Sequence, residues 1–444
     1  MIILAYSKFR VTLFALEVLL LCHLASSQWT KILKHDNFPE YKVKLREPHL
    51  CDKTVQQYSG YIDVKDTKHL FFWFFESRSK PKEDPITLWL NGGPGSSSIK
   101  GLYFGAGPCT VNPGGNDTTF DPNSWNNNSS FIFLDQPTNT GYSYGESVSN
   151  TFVAAHDIYA FLQIFFQEFR QYANLDFHIA GESYSGHYIP AIASIINNYN
   201  HVYNAKDIIH INLKSILMGN ALVNILIQHK YLPVMGCNSS YGPILADSTC
   251  KQMRRDYIQC AKLTKTCYDS KNVTICVTAE NCFSGMFQPF RDIVNAFDIR
   301  DQCNEGNPDL CYPELQDISK YCNREDIKTE LGVNPSIIRR FDIYIPPLLE
   351  NNIRVLVYAG DADVICNWFG CEAWTKDLKW SGTKGFNNAN VTRWITNTGN
   401  HAGNVRTFKG FTFLRVFESG HMVPHDQPRA SLDFFNKWIF NKDL

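Results

Sequence analysis

The sequence predicts an α/β protein with a central, mostly parallel sheet and one inserted, disulfide-rich cap. Short apolar runs rich in branched and aromatic residues alternate with amphipathic helical patterns, as in chains that build parallel sheets. The alternation stops between residues 222 and 345, where eight cysteines fall between Cys237 and Cys311 in irregular, polar sequence. Such a segment is typical of an insertion held by its own disulfides, so we expect it to cover the sheet as a cap.

Six apolar runs are the predicted strands of the sheet. They begin at Ile86, Ser130, Asp176, Leu213, Ile353 and Phe411. Short, continuous apolar runs are typical of strands that are buried on both faces. Between them, the residues from Ala154 to Tyr172 repeat apolar positions every three or four residues, which predicts a helix.

The N-terminus resembles a secretory signal peptide. Early basic residues precede an apolar run from Val11 to Leu24, and small residues precede Gln28. An uncleaved N-terminal anchor is the alternative, although the run is short for a membrane-spanning helix. The predicted division of the chain is a signal peptide at 1–27, an N-terminal extension at 28–50, the first part of the core at 51–221, the cap at 222–345 and the second part of the core at 346–444.

Composition indicates a compact globular protein that does not bind nucleic acid. Apolar residues make up 44% of the 444 residues, and 42 basic against 43 acidic side chains leave a net charge of -1. A chain without a basic excess has no general attraction for nucleic acid or for an anionic membrane. We therefore expect no nucleic-acid partner. No stretch after the N-terminal run is long enough to span a bilayer, so we also expect no second membrane anchor.

The cysteines and glycosylation sequons agree with the secretory pathway. Fourteen cysteines are typical of an oxidising compartment, and zinc is the weaker alternative because neither a CxxC pair nor a matching histidine pair accompanies them. No metal and no cofactor are therefore predicted. The sequons are Asn116, Asn127, Asn128, Asn238, Asn272 and Asn390.

The sequence AGESYSGH contains a candidate nucleophile. Gly181, Ser183 and Ser185 occupy the positions of a GxSxG turn, directly after a predicted strand. A strand that turns sharply into a helix exposes the central side chain, and small neighbours allow the two segments to approach each other. An ordinary turn is the alternative for this motif taken alone.

Partners for a nucleophilic serine follow later predicted strands. Asp361 and Asp363 come after the strand at Ile353, and His421 and His425 come after the strand at Phe411. A serine needs a histidine to remove its proton and a carboxylate to orient the imidazole. The order Ser, Asp, His, each after a strand, is the order of the α/β-hydrolase fold, so the three together favour nucleophilic catalysis.

The glycine-rich sequence WLNGGPGSSS follows the strand at Ile86. Its backbone N–H groups can approach a substrate and stabilise the negative charge that develops on an attacked carbonyl oxygen. A phosphate-binding loop is the alternative, but the terminal Lys and Ser/Thr of a P-loop are missing.

These segments together resemble the serine carboxypeptidase family over nearly the whole chain after the N-terminus. The resemblance rests on QYSGYIDV, FFWFFESR, LWLNGGPGSS, FIFLDQPTNTGYSY, FHIAGESYSGHYIPAIA, DIRDQC, LCYPELQDI, LVYAGDADVICNW and FTFLRVFESGHMVPHDQP. It implies that Ser183 is the nucleophile, His421 the general base and Asp363 the orienting carboxylate. It also implies that the backbone N–H groups of Gly93 and Tyr184 form the oxyanion hole.

The resemblance further implies a site for the free carboxylate of a peptide. Asn91, Gly92 and Glu182 would recognise that carboxylate, which requires Glu182 to be protonated and therefore favours acidic pH. Tyr184 and Cys366 would line the site for the penultimate side chain, and Cys366 as an unpaired thiol would make the enzyme sensitive to mercurials. The site for the released residue would be lined by Phe104, Phe297, Tyr312, Leu315 and Met422. Ordinary core packing is the alternative for each of these side chains.

The cap cysteines match the disulfides of the family. The implied pairs are Cys237 with Cys250, Cys260 with Cys282, Cys267 with Cys276, and Cys303 with Cys311. Cys51, Cys109, Cys322 and Cys371 remain without an assigned partner.

The chain departs from the family pattern in three places. Ser96 replaces a cysteine, and its distant partner is missing too, which removes a link between the oxyanion loop and the cap. The stretch from Leu331 to Ile353 is shorter than in the family. Gly105 replaces a glutamate that would share a proton with Glu182, so we hypothesise that Glu182 ionises more readily here and that peptide recognition already weakens in mild acid.

The predicted function is that of a serine carboxypeptidase which releases C-terminal amino acids from peptides at acidic pH. A serine esterase or acyltransferase of the same fold is one alternative, and a catalytically silent binding homologue is another. The expected location is the vacuole or lysosome, with secretion as the alternative.

Overall fold

The computed structural model describes residues 29–112, 117–148, 150–201, 208–270, 272–291, 293–302 and 340–444. The predicted signal peptide, Asn116, Tyr312, Leu315 and the cysteines Cys303, Cys311 and Cys322 lie outside these residues. The strands are Lys31–Leu33 (β1), Tyr41–Arg46 (β2), Gln57–Val64 (β3), Lys68–Phe75 (β4), Ile86–Leu90 (β5), Cys109–Val111 (β6), Thr118–Phe120 (β7), Ser130–Leu134 (β8), Tyr144–Gly145 (β9), Phe177–Glu182 (β10), Leu213–Gly219 (β11), Arg354–Gly360 (β12), Thr392–Ile395 (β13), His401–Phe408 (β14) and Phe411–Val416 (β15). The helices are Ser98–Tyr103 (α1), Thr151–Glu168 (α2), Ser185–His201 (α3), Ile225–Gln228 (α4), Leu232–Asn238 (α5), Asp247–Ser270 (α6), Val273–Gly285 (α7), Gln288–Arg291 (α8), Ile345–Glu350 (α9), Trp368–Asp377 (α10), Thr383–Asn388 (α11), Val423–Asp426 (α12) and Pro428–Ile439 (α13).

The six predicted strands form the parallel centre of the sheet. In the described part of the chain, a 13-stranded sheet has the order β1-β2-β3-β4-β8-β5-β10-β11-β12-β15-β14-β13, and β9 pairs with β4. The pairs from β8 through β5, β10, β11 and β12 to β15 are all parallel. The predicted α/β class is therefore confirmed.

Burial on both faces explains why these runs are continuously apolar. Along β5, Ile86, Leu88 and Leu90 pack into the core on one face of the sheet, whereas Trp89 belongs to the core on the other face. Successive side chains of a strand point to opposite faces, so a strand between two helical layers needs apolar residues at every position.

Antiparallel strands extend the sheet at both edges. The predicted N-terminal extension contains β1 and β2, and β2 pairs antiparallel with β3. At the other edge, β14 pairs antiparallel with both β15 and β13.

Helix α2 begins three residues before the predicted start at Ala154. The side chain of Asn150 accepts a hydrogen bond from the backbone N–H of Phe152 at 2.9 Å and caps the first turn. The polar cap lies outside the apolar pattern, which is why periodicity alone places the start too late.

Much of the described cap is helical, although its sequence interrupts the alternation of strands and helices. Helices α6 and α7 are joined by the disulfides Cys260–Cys282 and Cys267–Cys276. The buried side chains of α6 include Cys250, Met253, Cys260 and Cys267, which recur at helical spacing. Three of the six buried side chains of α6 are therefore cysteines.

The structure also contains the implied disulfide Cys237–Cys250 and a pair that the sequence left unassigned. Cys51 joins Cys109, which connects the loop before β3 to β6. Cys366 and Cys371 are buried free thiols. No helix within the described residues is both long and apolar enough to cross a membrane.

Candidate active site

The predicted reactive residues follow neighbouring parallel strands at the same edge of the sheet. Ser183 follows β10, Asp363 follows β12 and His421 follows β15. Strands β10, β11, β12 and β15 are parallel neighbours, so their carboxyl ends bring these loops together.

Ser183 lies on a strained turn between β10 and α3. Its φ angle is +63°, a conformation that residues other than glycine rarely adopt. The backbone N–H of Ser183 donates to the Gly219 carbonyl at 3.0 Å, which holds the turn against the end of β11. Gly92 approaches so closely that a Cβ atom there would lie 2.2 Å from the Tyr184 nitrogen, so only glycine fits.

Asp363 and His421 form a buried hydrogen-bonded pair. His421 Nδ1 lies 2.7 Å from Asp363 Oδ2, and both side chains are buried. Asp363 Oδ2 also accepts from Asn220 Nδ2 at 2.7 Å and from the Cys366 backbone N–H at 3.2 Å. The carboxylate is thus held in one orientation before any substrate arrives.

The environment of His421 favours its charged form. Burial lowers its pKa, but the charge of Asp363 and the hydrogen bond to it outweigh burial, so the net effect is a raised pKa. An imidazole whose protonated form is stabilised in this way suits a group that accepts a proton during a reaction.

Asn220 is a site residue that sequence reasoning missed. It follows β11 directly, its Nδ2 bonds to Asp363, and its Oδ1 accepts from the Gly360 backbone N–H at 3.1 Å. The available signal was a polar residue at the end of the strand that lies between those carrying Ser183 and Asp363. Lys100 was missed as well, although its charge acts on both Glu182 and His421.

Glu182 and Asn91 form a second polar pair beside Ser183. Asn91 Nδ2 donates to Glu182 Oε1 at 3.0 Å, and both residues are buried. The side-chain Oδ1 of Asn91 accepts from Trp89 Nε1 at 2.7 Å and from the Gly101 N–H at 3.1 Å, which fixes the orientation of the side-chain amide. Burial raises the pKa of Glu182, while His421, Lys100 and the Asn91 hydrogen bond oppose that shift.

The glycine-rich loop is anchored by the buried carboxylate of Asp135. This side chain accepts from Ser97 Oγ and the Ser98 N–H, both at 2.7 Å, and from the Tyr142 N–H at 2.9 Å. Gly93 has a φ of +110° within the loop. The loop is therefore held by hydrogen bonds, without a cysteine at position 96.

The predicted pocket residues occupy different positions around this centre. The Phe297 ring lies 5.1 Å from the His421 ring, and Phe104 stacks on His425 at 3.9 Å. The ring of Tyr184 is buried and stacks on His187 at 4.1 Å. Met422, which follows His421 in the chain, is buried too.

Cys366 lies close to the Asp363 and His421 pair. The Cys366 Sγ atom, a carboxylate oxygen of Asp363 and a ring nitrogen of His421 all lie within 4.8 Å of one another. Burial raises the pKa of the Cys366 thiol well above its usual range, so the group is held as a neutral thiol.

The chain is similar to one known protein family and to several of its members. The profile of the serine carboxypeptidase family matches residues 48–441. Carboxypeptidase Y of Candida albicans is 46% identical over 426 residues, which cover 90% of this chain and 77% of that protein. Carboxypeptidase Y of Schizosaccharomyces pombe is 43% identical over 433 residues, which cover 90% of this chain but only 43% of the relative.

A solved structure shares the fold. Kex1Δp, a prohormone-processing carboxypeptidase from Saccharomyces cerevisiae, matches with a TM-score of 0.73 and 24% identity over 88% of this chain and 93% of that one. The α/β-hydrolase fold predicted from the sequence is thereby confirmed. The profile match over residues 48–441 and the 46% identity to a carboxypeptidase Y show that this chain belongs to the serine carboxypeptidase family of hydrolases.

Proposed function

We propose that the protein releases C-terminal amino acids from peptides at acidic pH through an acyl-enzyme on Ser183. The observation that carries the proposal is the buried 2.7 Å contact between His421 and Asp363, together with the buried Glu182–Asn91 pair directly beside Ser183. The first pair supplies a general base, and the second supplies a receptor for a carboxyl group.

Ser183 and His421 share the proton transfers. As Ser183 Oγ attacks the carbonyl carbon, His421 Nε2 removes the hydroxyl proton and then delivers it to the leaving amine. The same imidazole afterwards activates the water that hydrolyses the ester. Asp363 stabilises the imidazolium in both halves, and the backbone N–H groups of Gly93 and Tyr184 stabilise the oxyanion.

Glu182 and Asn91 recognise the free carboxylate of the peptide. A carboxylate can bind beside Glu182 only when Glu182 is protonated and donates a hydrogen bond. Because burial raises the pKa of Glu182, this neutral form persists to milder acidity than for an exposed glutamate. Peptide binding should therefore weaken as pH rises through that pKa.

A substrate series tests this proposal. An N-blocked dipeptide with a free C-terminus should lose its last amino acid fastest in acid, whereas the matching C-terminal amide should react much more slowly. An esterase would cleave the blocked dipeptide ester without releasing amino acids from the free acid, and that pattern would contradict the proposal. A silent homologue would cleave none of the three.

Glu182→Gln should remove the pH dependence of peptide binding. Glutamine keeps an N–H donor at every pH, so KM for a blocked dipeptide should stop rising between mildly acidic and neutral solution. The control is the dipeptide ester, which has no carboxylate and should show similar KM values in both proteins. A variant that retained the wild-type pH dependence of KM would exclude Glu182 as the titrating group.

Gly105→Glu should extend peptidase activity toward neutral pH. Two neighbouring carboxyl groups share one proton, which raises the apparent pKa of the pair. A Cβ atom at position 105 would lie 3.5 Å from Pro424 Cβ, an ordinary contact, so the first atom of the new side chain fits. Gly105→Gln has the same size without the charge and is the matched control. An unchanged pH profile of kcat/KM in Gly105→Glu would reject the hypothesis.

We also infer that the protein passes through the secretory pathway and resides in a vacuole or lysosome, with secretion as the alternative. Four disulfides in the described residues support an oxidising compartment. The sequon residues Asn238, Asn272 and Asn390 are exposed, as glycosylation requires, and Asn128 is half-buried. Fractionation of cells combined with endoglycosidase treatment tests both points.

A further inference from the structure

The loops that carry Asp363 and His421 are linked by a segment of the cap region. We name residues 361–366 the acid loop, residues 417–422 the histidine loop and residues 295–301 the bridging segment. One direct backbone bond joins the two loops, from the Ala362 N–H to the Ser419 carbonyl at 2.8 Å. The bridging segment adds contacts to both of them.

The bridging segment pairs with the acid loop on both sides of Asp363. The Ala296 carbonyl accepts from the Val364 N–H at 3.1 Å and from the Ile365 N–H at 3.2 Å. The Ile299 N–H donates to the Ala362 carbonyl at 2.8 Å. Ile299, Ala362 and Val364 also share the buried apolar core of the cap.

The same segment binds the backbone of His421 directly. The Phe297 carbonyl accepts from the His421 N–H at 2.7 Å. A Cβ atom at Gly420 would lie 2.3 Å from the Phe297 oxygen, so the close approach of the two segments requires glycine. The segment therefore sets the position of the His421 backbone relative to Asp363.

Arg300 binds the bridging segment to the histidine loop. Its Nε donates to Oδ1 of the buried Asp298 at 2.8 Å, and its Nη1 donates to the Glu418 carbonyl at 2.8 Å. Its Nη2 also lies 3.7 Å from Asp426, whose Oδ2 accepts from the Gly420 N–H at 2.6 Å. The hydrogen bond to Asp298 raises the pKa of Arg300, so the guanidinium remains charged.

We propose that Arg300 is a positioning residue of the catalytic apparatus, which acts through the bridging segment to hold His421 in register with Asp363. This inference rests on the proposed function of the Ser183 site. A misplacement of about 1 Å in a catalytic group can lower a rate by about 100-fold. Since the contacts of Arg300 reach the histidine loop and not Asn91 or Glu182, the effect should fall on kcat and not on KM.

Arg300→Gln tests the proposal against a matched control. We expect kcat for a blocked dipeptide to fall about 10- to 100-fold, with KM within about twofold of the wild type. Arg340→Gln removes a similar pair, because Arg340 donates to Asp342 at 3.1 Å and 2.7 Å, but that pair bonds to Asn224 and not to either loop. The control should keep kcat within about twofold.

The acid limb of the pH profile of kcat, where activity falls as His421 becomes protonated, distinguishes two effects of Arg300: positioning of His421 and the charge of the guanidinium. The charged groups that act on His421 are Asp363, Glu182 and Lys100, and Arg300→Gln leaves all three in place. A looser contact with Asp363 lowers the pKa of His421 and moves the acid limb to lower pH. Loss of the Arg300 cation alone cannot lower that pKa, so without a looser contact the limb would stay in place or move to higher pH.

Arg300→Lys keeps the charge, but its single ammonium group cannot reproduce all the hydrogen bonds of the guanidinium. Its kcat should therefore lie between those of the wild type and Arg300→Gln. It also keeps the test open if the glutamine variant does not fold. Titration with a fluorophosphonate gives the fraction of competent sites, to which each rate is normalised. The proposal would be overturned if Arg300→Gln had the normalised kcat of the wild type or if Arg300→Gln and Arg340→Gln lost kcat equally. An acid limb that stayed in place or moved to higher pH would overturn it too. A wild type without peptidase activity would instead overturn the proposed function.

Discussion

Ser183→Ala is expected to lower kcat for a blocked dipeptide by at least about 10,000-fold, because alanine has no oxygen to form the acyl-enzyme. The strained φ of +63° at this position persists with alanine, and the hydrogen bond between its N–H and the Gly219 carbonyl involves only backbone atoms. The fold should therefore survive. KM should change little, since Asn91 and Glu182 are untouched.

The measurement pairs steady-state kinetics with covalent labelling by a fluorophosphonate. Wild-type protein should be labelled and Ser183→Ala should not. Ser185→Ala is the matched control, because Ser185 is a buried serine two residues away on the first turn of α3. Labelling that persisted in Ser183→Ala, or that vanished in Ser185→Ala with the fold intact, would assign the nucleophile elsewhere.

Asp363→Asn is expected to lower kcat by about 10,000-fold with little change in KM. Asp363 Oδ2 accepts from His421, Asn220 and the Cys366 N–H. An amide in this place must turn its NH2 group either toward those three partners or toward the Ile365 N–H, which donates to Asp363 Oδ1 at 3.0 Å. Either result removes the carboxylate that stabilises the imidazolium.

The pH profile gives a second measure of the same change. Asp363 raises the pKa of His421, so the residual activity of Asp363→Asn should have its acid limb at lower pH than the wild type. Asp433→Asn is the control, since Asp433 is a buried carboxylate in α13 that pairs with Lys437. A residual profile with an unchanged acid limb would mean that Asp363 does not set the basicity of His421.

Prediction from the sequence succeeded where one residue pattern has one physical meaning. A strand buried on both faces must be apolar at every position, and all six runs chosen on that basis are the parallel strands of the sheet. The positions of Ser183, Asp363 and His421 after three of these strands were equally visible, whereas their catalytic roles stay a prediction. The helices of the cap were not predicted: three of the six buried side chains of α6 are cysteines, which the sequence led us to interpret as disulfide partners and not as one face of a helix.

Residues that act through distant contacts could not be found in this way. Asn220 contacts Asp363, which lies 143 residues further along the chain, and the Arg300 guanidinium bonds to the Glu418 carbonyl, 118 residues away. Each is a single polar residue in a loop, and nothing in its local sequence names a partner. The pairing of Cys51 with Cys109 is of the same kind.

Local pattern thus decides the strands, their burial and the chemical types at their ends, because these depend on neighbours within a few residues. The folded chain decides which loop residues meet, how Asn91 and Asp363 are oriented, and how far burial moves the pKa of Glu182. Hydrogen bonds and desolvation act over a few ångströms in space, and residues far apart in the chain come within that distance only after folding.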